Sequence, residues 1–108
     1  MTDIKGTRGY TIIWEFRPRA GVEARFREAY GPRGIWARFF AIGEGFVTTE
    51  LNQDLKDPGR YVTLDFWVSQ AACEAFLAAH AEEYKTIDLQ CEELTVEEKL
   101  IGHFERLP

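Results

Sequence analysis

The chain has 108 residues, with 13 Lys plus Arg against 18 Asp plus Glu, a formal net charge of −5. That length fits a single domain, and 45% apolar with 29% charged residues excludes wholesale disorder. The acidic balance excludes the clustered Lys/Arg surface that phosphate binding needs, so no nucleic-acid partner is expected.

Aromatic residues are unusually frequent, at 14% of the chain. A domain of this size buries only about 60–70% of its unfolded surface. Some rings are therefore expected to line a pocket or a subunit interface. No apolar run approaches the roughly 20 residues of a spanning helix, and no basic amphipathic helix suggests membrane-surface binding. The opening Met1-Thr2-Asp3-Ile4-Lys5-Gly6 has no apolar signal core. A cytoplasmic protein is expected, with Cys73 and Cys91 as free thiols.

Residues 1–8 are polar and read as a loose tail, with one domain over 9–108. Tyr10 to Arg17, rich in β-branched and aromatic residues, predicts a first strand, closed by Pro18 and a turn at Ala20-Gly21. Val22, Phe26, Ala29 and Tyr30 recur at helical spacing until Gly31-Pro32. Ile35, Trp36, Phe39 and Phe40 repeat the spacing in a short second helical piece ended by Gly43. Phe46 to Asn52 predicts a second strand, Asp54 to Gly59 a hairpin connection, and Arg60 to Val68 a third strand. Ser69 reads as an N-cap for a helix from Gln70 to about Ala81. A less regular segment then reaches Glu93, and Leu94 to Phe104 reads as a last strand with weak alternation.

The order β-α-β-β-α-β is that of a ferredoxin-like α+β fold with a four-stranded antiparallel sheet. Tyr10, Ile12, Trp14 and Phe16 share one strand face; Val62, Leu64 and Phe66 share another; Leu100 and Phe104 are read as sharing a third. The opposite face of the third strand holds Tyr61, Thr63, Asp65 and Trp67. Large apolar groups thus occupy both faces of the sheet, whereas one wet face would give clean alternation. Two helices cover one face only. A second copy of the sheet is the natural cover for the other, which predicts a homodimer by sheet-to-sheet packing. Strand parity leaves open which face meets the helices.

The run Arg60-Tyr61-Val62-Thr63-Leu64-Asp65-Phe66-Trp67-Val68-Ser69-Gln70-Ala71 resembles the strand-to-helix signature of antibiotic-biosynthesis-monooxygenase-like proteins. There a third strand ends in Trp, and Ser caps a helix bearing Ala and a downstream Phe, here Phe76. Gly45 to Leu51 is similar to the second strand of longer-loop members, and Trp36 and Phe40 to the aromatic pair before it. The resemblance covers roughly residues 9 to 104. It implies a dimeric α+β barrel with a pocket between sheet and helices. It also implies cofactor-free oxygenation of aromatic phenols or quinols, although some relatives degrade haem and others have no assigned activity.

On that basis Trp67 is a candidate to stack on a flat aromatic substrate, with Asp65 beside it on the same face to move a proton; the alternative for Trp67 is a core role at the sheet edge. His80, on the apolar stripe with Cys73, Phe76 and Leu77, is a candidate base, or a haem ligand. Its alternative is a hydrogen-bonded residue at a helix end. Haem-degrading relatives use an Asn in the first strand, and this strand has none, so no cofactor is expected. Asn52 could orient an oxyanion or a hydroperoxide, or serve as a hairpin residue. Tyr30, Trp36, Arg38 and Tyr61 are candidates for the pocket mouth, with Arg38 holding a phenolate or carboxylate. His103 is given a structural role.

The sequence has no CxxC pair, HExxH, glycine-rich phosphate loop or nucleophile elbow, so no metal, nucleotide or serine chemistry is expected. Any electrons for oxygen chemistry must come from the substrate. Two functions therefore stand: a small cofactor-independent monooxygenase acting on an aromatic or quinol-like metabolite, or a non-catalytic homodimeric module that binds a small hydrophobic molecule. An RNA-recognition module shares the element order, but the third strand lacks its Lys/Arg-Gly-aromatic pattern.

Overall fold

The structure, a computed structural model, describes residues 7–108. The expected tail therefore lies mostly outside the described residues. Arg8, within it, pairs with Glu50 at 3.3 Å and lies 4.4 Å over the Phe66 ring. The strands are β1 (Tyr10–Pro18), β2 (Phe46–Gln53), β3 (Tyr61–Trp67) and β4 (Thr95–Glu105). The helices are α1 (Glu23–Tyr30), α2 (Ile35–Phe40), α3 (Gln70–Ala79) and α4 (Ala81–Cys91), with a 3₁₀ turn at Glu92–Leu94. All four strands join one antiparallel sheet in the order β2-β3-β1-β4, the ferredoxin-like arrangement.

Local chemistry accounts for the element ends. Gly21 adopts φ +90°, which a residue with a Cβ disfavours, and its N–H donates to Glu23 Oε1 at 3.0 Å just ahead of α1. Ser69 caps α3, its Oγ accepting from Ala72 N–H at 3.1 Å. Cys73 and Cys91 are buried free thiols.

Residues directly opposed in an antiparallel pair share a face. Tyr10, Ile12, Trp14 and Phe16 oppose Trp67, Asp65, Thr63 and Tyr61 in turn, and Thr49 opposes Asp65 from the other side. This is the face the helices cover, which settles the parity left open by the sequence. Val62, Leu64 and Phe66 lie on the opposite face, where each stays partly exposed.

Two bulges change the expected faces. In β2 the register shifts between Phe46 and Thr48, so Phe46 and Thr49 both meet inward-facing partners. In β4 the shift leaves Ile101 as the extra residue. Leu100 then opposes Trp14 on the inner face, whereas Phe104 opposes Thr11 on the outer one. The expected common face for Leu100 and Phe104 is thus corrected.

The segment after α3 is also corrected. It is a regular helix, α4, and the break with α3 falls at His80. The core between helices and sheet is largely aromatic. Trp67, 1% exposed, packs against Phe40, Phe46 and Phe76 with ring centroids 5.3–5.8 Å apart. Truncating such a ring to Ala would cost about 3–5 kcal/mol.

Candidate active site

Two adjoining cavities open beneath the helices, and Trp14, Phe40, Asp65 and Tyr84 line both. One, of about 50 Å³, is bounded on the sheet side by Trp14, Phe16, Thr49, Thr63 and Asp65. Tyr30, Trp36, Phe40 and Tyr84 form its helical wall, and Asp88 and Glu98 complete it. The other, of about 110 Å³, extends along the sheet to Ile12, Trp67, Cys73 and His103.

Asp65 stands where the two cavities meet. It is 7% exposed, and burial pushes its carboxyl pKa up from 3.8 to about 6. Opposing that rise, Thr49 Oγ1 donates a 2.6 Å hydrogen bond to Asp65 Oδ1. A carboxyl with this pKa is mostly ionised at neutral pH yet is a better base than an exposed aspartate, which suits proton abstraction. Burial also pushes the Cys73 thiol up to about 12 and raises Tyr84, so both stay protonated and uncharged near neutrality.

Trp36 is buried, and its Nε1 has no hydrogen-bond partner. Tyr30 and Cys91 are its polar neighbours, but neither meets it in hydrogen-bonding geometry. Burial raises the Tyr30 hydroxyl well above the usual phenol range, so it too remains protonated. At the far end Tyr10 Oη lies 2.6 Å from His103 Nδ1, with the two rings stacked. Burial also raises the Tyr10 pKa.

Of the residues singled out from the sequence, Asp65, Trp67, Tyr30 and Trp36 therefore meet at these cavities. Four others lie elsewhere. His80 sits at the α3–α4 junction, packed on Phe76 at 4.5 Å, with Nδ1 3.1 Å from Glu83 Oε2. It lines neither cavity and has the geometry of the hydrogen-bonded helix-end alternative. Asn52 is exposed and opposes Val62 on the outer face of the sheet, so it points away from Asp65. Arg38 is exposed and donates to the Arg33 carbonyl at 2.6 Å. Tyr61 is buried under α1, its hydroxyl accepting from Arg27 Nε at 2.8 Å.

Sequence reasoning missed Thr49, Tyr84, Asp88 and Glu98, and assigned His103 only a structural role. Tyr84, Ile87 and Cys91 do recur at helical spacing, and that signal would have placed Tyr84 and Asp88 on one helix. Thr49 becomes visible only once the β2 bulge fixes its register against Asp65.

Among the described residues, no group of three His, Cys, Asp or Glu side chains is arranged to hold a metal ion. Nor do the cavities fit haem. The larger, at about 110 Å³, is below the roughly 150 Å³ that takes up one benzene ring, let alone a macrocycle of four pyrroles. No described helix is long and apolar enough to cross a membrane.

The sheet topology and the helices on one of its faces define a small ferredoxin-like α+β protein with a buried aromatic pocket. The family model for antibiotic biosynthesis monooxygenases matches residues 9–87, and the chain belongs to that family. Among solved structures it is similar to SnoaB, a cofactor-independent oxygenase from Streptomyces nogalater, with TM-score 0.70 and 22% identity over 93% of this chain and 94% of that one. It is similar to PA3566 from Pseudomonas aeruginosa, with TM-score 0.66 and 24% identity over 95% and 98% of the two chains. It also resembles Rv0793 from Mycobacterium tuberculosis, with TM-score 0.65 and 16% identity over 92% and 95%. Among curated proteins none matches.

Proposed function

We propose that the protein is a cofactor-independent monooxygenase for a small phenol or hydroquinone, with Asp65 as its base. The observation that carries this reading is the Asp65 carboxyl, buried among aromatic rings with a pKa of about 6. Family membership and the likeness to a cofactor-independent oxygenase support it.

Asp65 takes the phenolic proton, helped by the bond from Thr49 that steadies the carboxylate. The phenolate gives one electron to dioxygen, and the resulting radical pair combines at a ring carbon to form a C–O bond. The peroxide takes up a proton, its O–O bond breaks as the ring C–H proton leaves, and water departs. Phenol plus dioxygen gives quinone plus water, with all the electrons drawn from the substrate. Trp67 and Trp36 hold the ring, and Tyr30 completes the wall. Asn52, His80, Arg38 and Tyr61 have no part in this scheme, because their side chains lie outside the cavities.

We further propose that the protein works as a homodimer in a cytoplasmic setting. The outer sheet face carries Ile13, Val62, Leu64, Phe66 and Phe104, which no helix among the described residues covers. The oxygenase reading is tested by oxygen uptake with metal-stripped protein and a simple hydroquinone or phenol. One dioxygen consumed per quinone formed, with no hydrogen peroxide released, is expected. Substrate binding with no oxygen uptake would instead make the chain a binding module of the same fold.

A further inference from the structure

Asp65 belongs to a row that crosses the whole sheet. Thr49 of β2 and Ile12 of β1 oppose it, and His103 of β4 opposes Ile12. Opposed residues share a face, so all four lie on the inner one. Asp65 and His103 stand two strand spacings apart, about 10 Å, which no single hydrogen bond spans. The cavity of about 110 Å³ occupies that interval, and both residues line it. The two ends of the row differ in access to water. Asp65 is buried, whereas His103 is exposed and also lines a surface groove of about 400 Å³ with Tyr10, Ser69, Glu105 and Arg106. Among the described residues, His103 alone lines both the cavity and the groove. Tyr10, 2.6 Å from its Nδ1 and stacked on its ring, holds it there.

At roughly 30 Å³ per water, this cavity has room for about three. Asp65, Cys73, Tyr84 and His103 are the polar side chains that would hold them. The titratable or charged groups facing His103 are Asp65 of β3, Cys73 of α3 and Tyr84 of α4 inside, with Tyr10, Glu105 and Arg106 on the groove side. Glu74 of α3 acts on Tyr10 from nearby. Burial keeps Cys73 and Tyr84 protonated, whereas an imidazole both takes up and gives up a proton near neutral pH. Resting on the reading of Asp65 as the base, we propose that His103, positioned by Tyr10, is the proton relay between Asp65 and solvent. The reaction puts one proton on Asp65 and takes one up at the peroxide. The relay carries the first out and supplies the second, so protons balance and no electrons move through it. A bound substrate replaces the waters nearest Asp65, and its own oxygens become the first members of the chain.

The test compares oxygen uptake on a simple hydroquinone by wild type, His103→Gln and His103→Ala, in a buffer free of imidazole. Gln keeps a hydrogen-bonding partner for Tyr10 but carries no proton at neutral pH, so a purely structural role would survive in it. Both variants are expected to lose about tenfold or more in kcat, with KM within about twofold. Added imidazole, entering from the groove, should restore the His103→Ala rate saturably. A second readout needs no turnover. Near pH 6, where Asp65 is half-ionised, relaxation of its carboxyl carbon signal reports how fast it gains and loses a proton. That exchange should slow at least about threefold in His103→Gln. Wild-type kcat in His103→Gln, a His103→Ala loss that imidazole leaves untouched, or an unchanged Asp65 exchange rate would overturn the relay. No oxygen uptake by wild type would remove the oxygenase reading, and the carbon signal would still decide whether His103 serves Asp65.

Discussion

Thr49 and Asp65 face each other across β2 and β3, and the Thr49 hydroxyl donates to the Asp65 carboxylate at 2.6 Å inside the covered face of the sheet. The bond links one of the few buried polar side chains to the buried carboxyl that most alters the character of the cavity. Burial disfavours the ionised carboxylate, and this hydrogen bond recovers part of that cost.

Asp65 should therefore weaken the fold as pH rises. Its pKa is 3.8 when unfolded and about 6 when folded, so the folded state binds the proton more tightly. The stabilising contribution is complete below pH 3.8 and is lost as pH rises through 6. The shift corresponds to at most about 3 kcal/mol. Asp65→Asn, which cannot ionise, is expected to be more stable than wild type at pH 8 and to lose this slope between pH 4 and 6. Thermal unfolding across that range checks it; a wild-type slope retained in the variant would contradict it.

Thr49→Val should act in the opposite direction on the same carboxyl. Without its donor, the ionised form loses a hydrogen bond, so the Asp65 pKa should move above 6. At pH 8 the variant should be less stable by about 1–3 kcal/mol. Carbon NMR of the Asp65 carboxyl would follow the shift directly, and an unchanged or lower pKa would count against this role for Thr49.

The outer sheet face should close on a second copy. Leu64→Glu places a charge at its centre, opposite Ile13 on the neighbouring strand. Sedimentation is expected to give a dimer for wild type and a monomer for the variant, with near-native circular dichroism in both. A monomeric wild type at micromolar concentration would contradict the dimer.

Most elements were legible because their cues are local. The β-branched runs, the Gly31-Pro32 stop and the Ser69 cap each act within a few residues, and the structure has them where the sequence put them. Helix α4 was not legible, since its acidic surface hides a thin apolar stripe and α3 breaks from it at His80 rather than at a Gly or Pro. That break also accounts for His80. The period from Cys73 through Leu77 is genuine, but the chain turns before the next position can face the sheet. Asp65, Trp67, Tyr30 and Trp36 could be picked out from strand parity, helical spacing and family resemblance. Their grouping with Thr49, Tyr84 and His103 depends on bulges and on long-range pairing, which no local pattern specifies.

The most direct measurement is the pH dependence of kcat/KM for oxygen uptake on a hydroquinone, taken for wild type and Asp65→Asn. The expected result is a wild-type limb rising through about pH 6, and a variant slower by roughly 10²–10⁴-fold that lacks the limb. Wild-type turnover by Asp65→Asn, with the same limb, would contradict the assignment of Asp65 as the base.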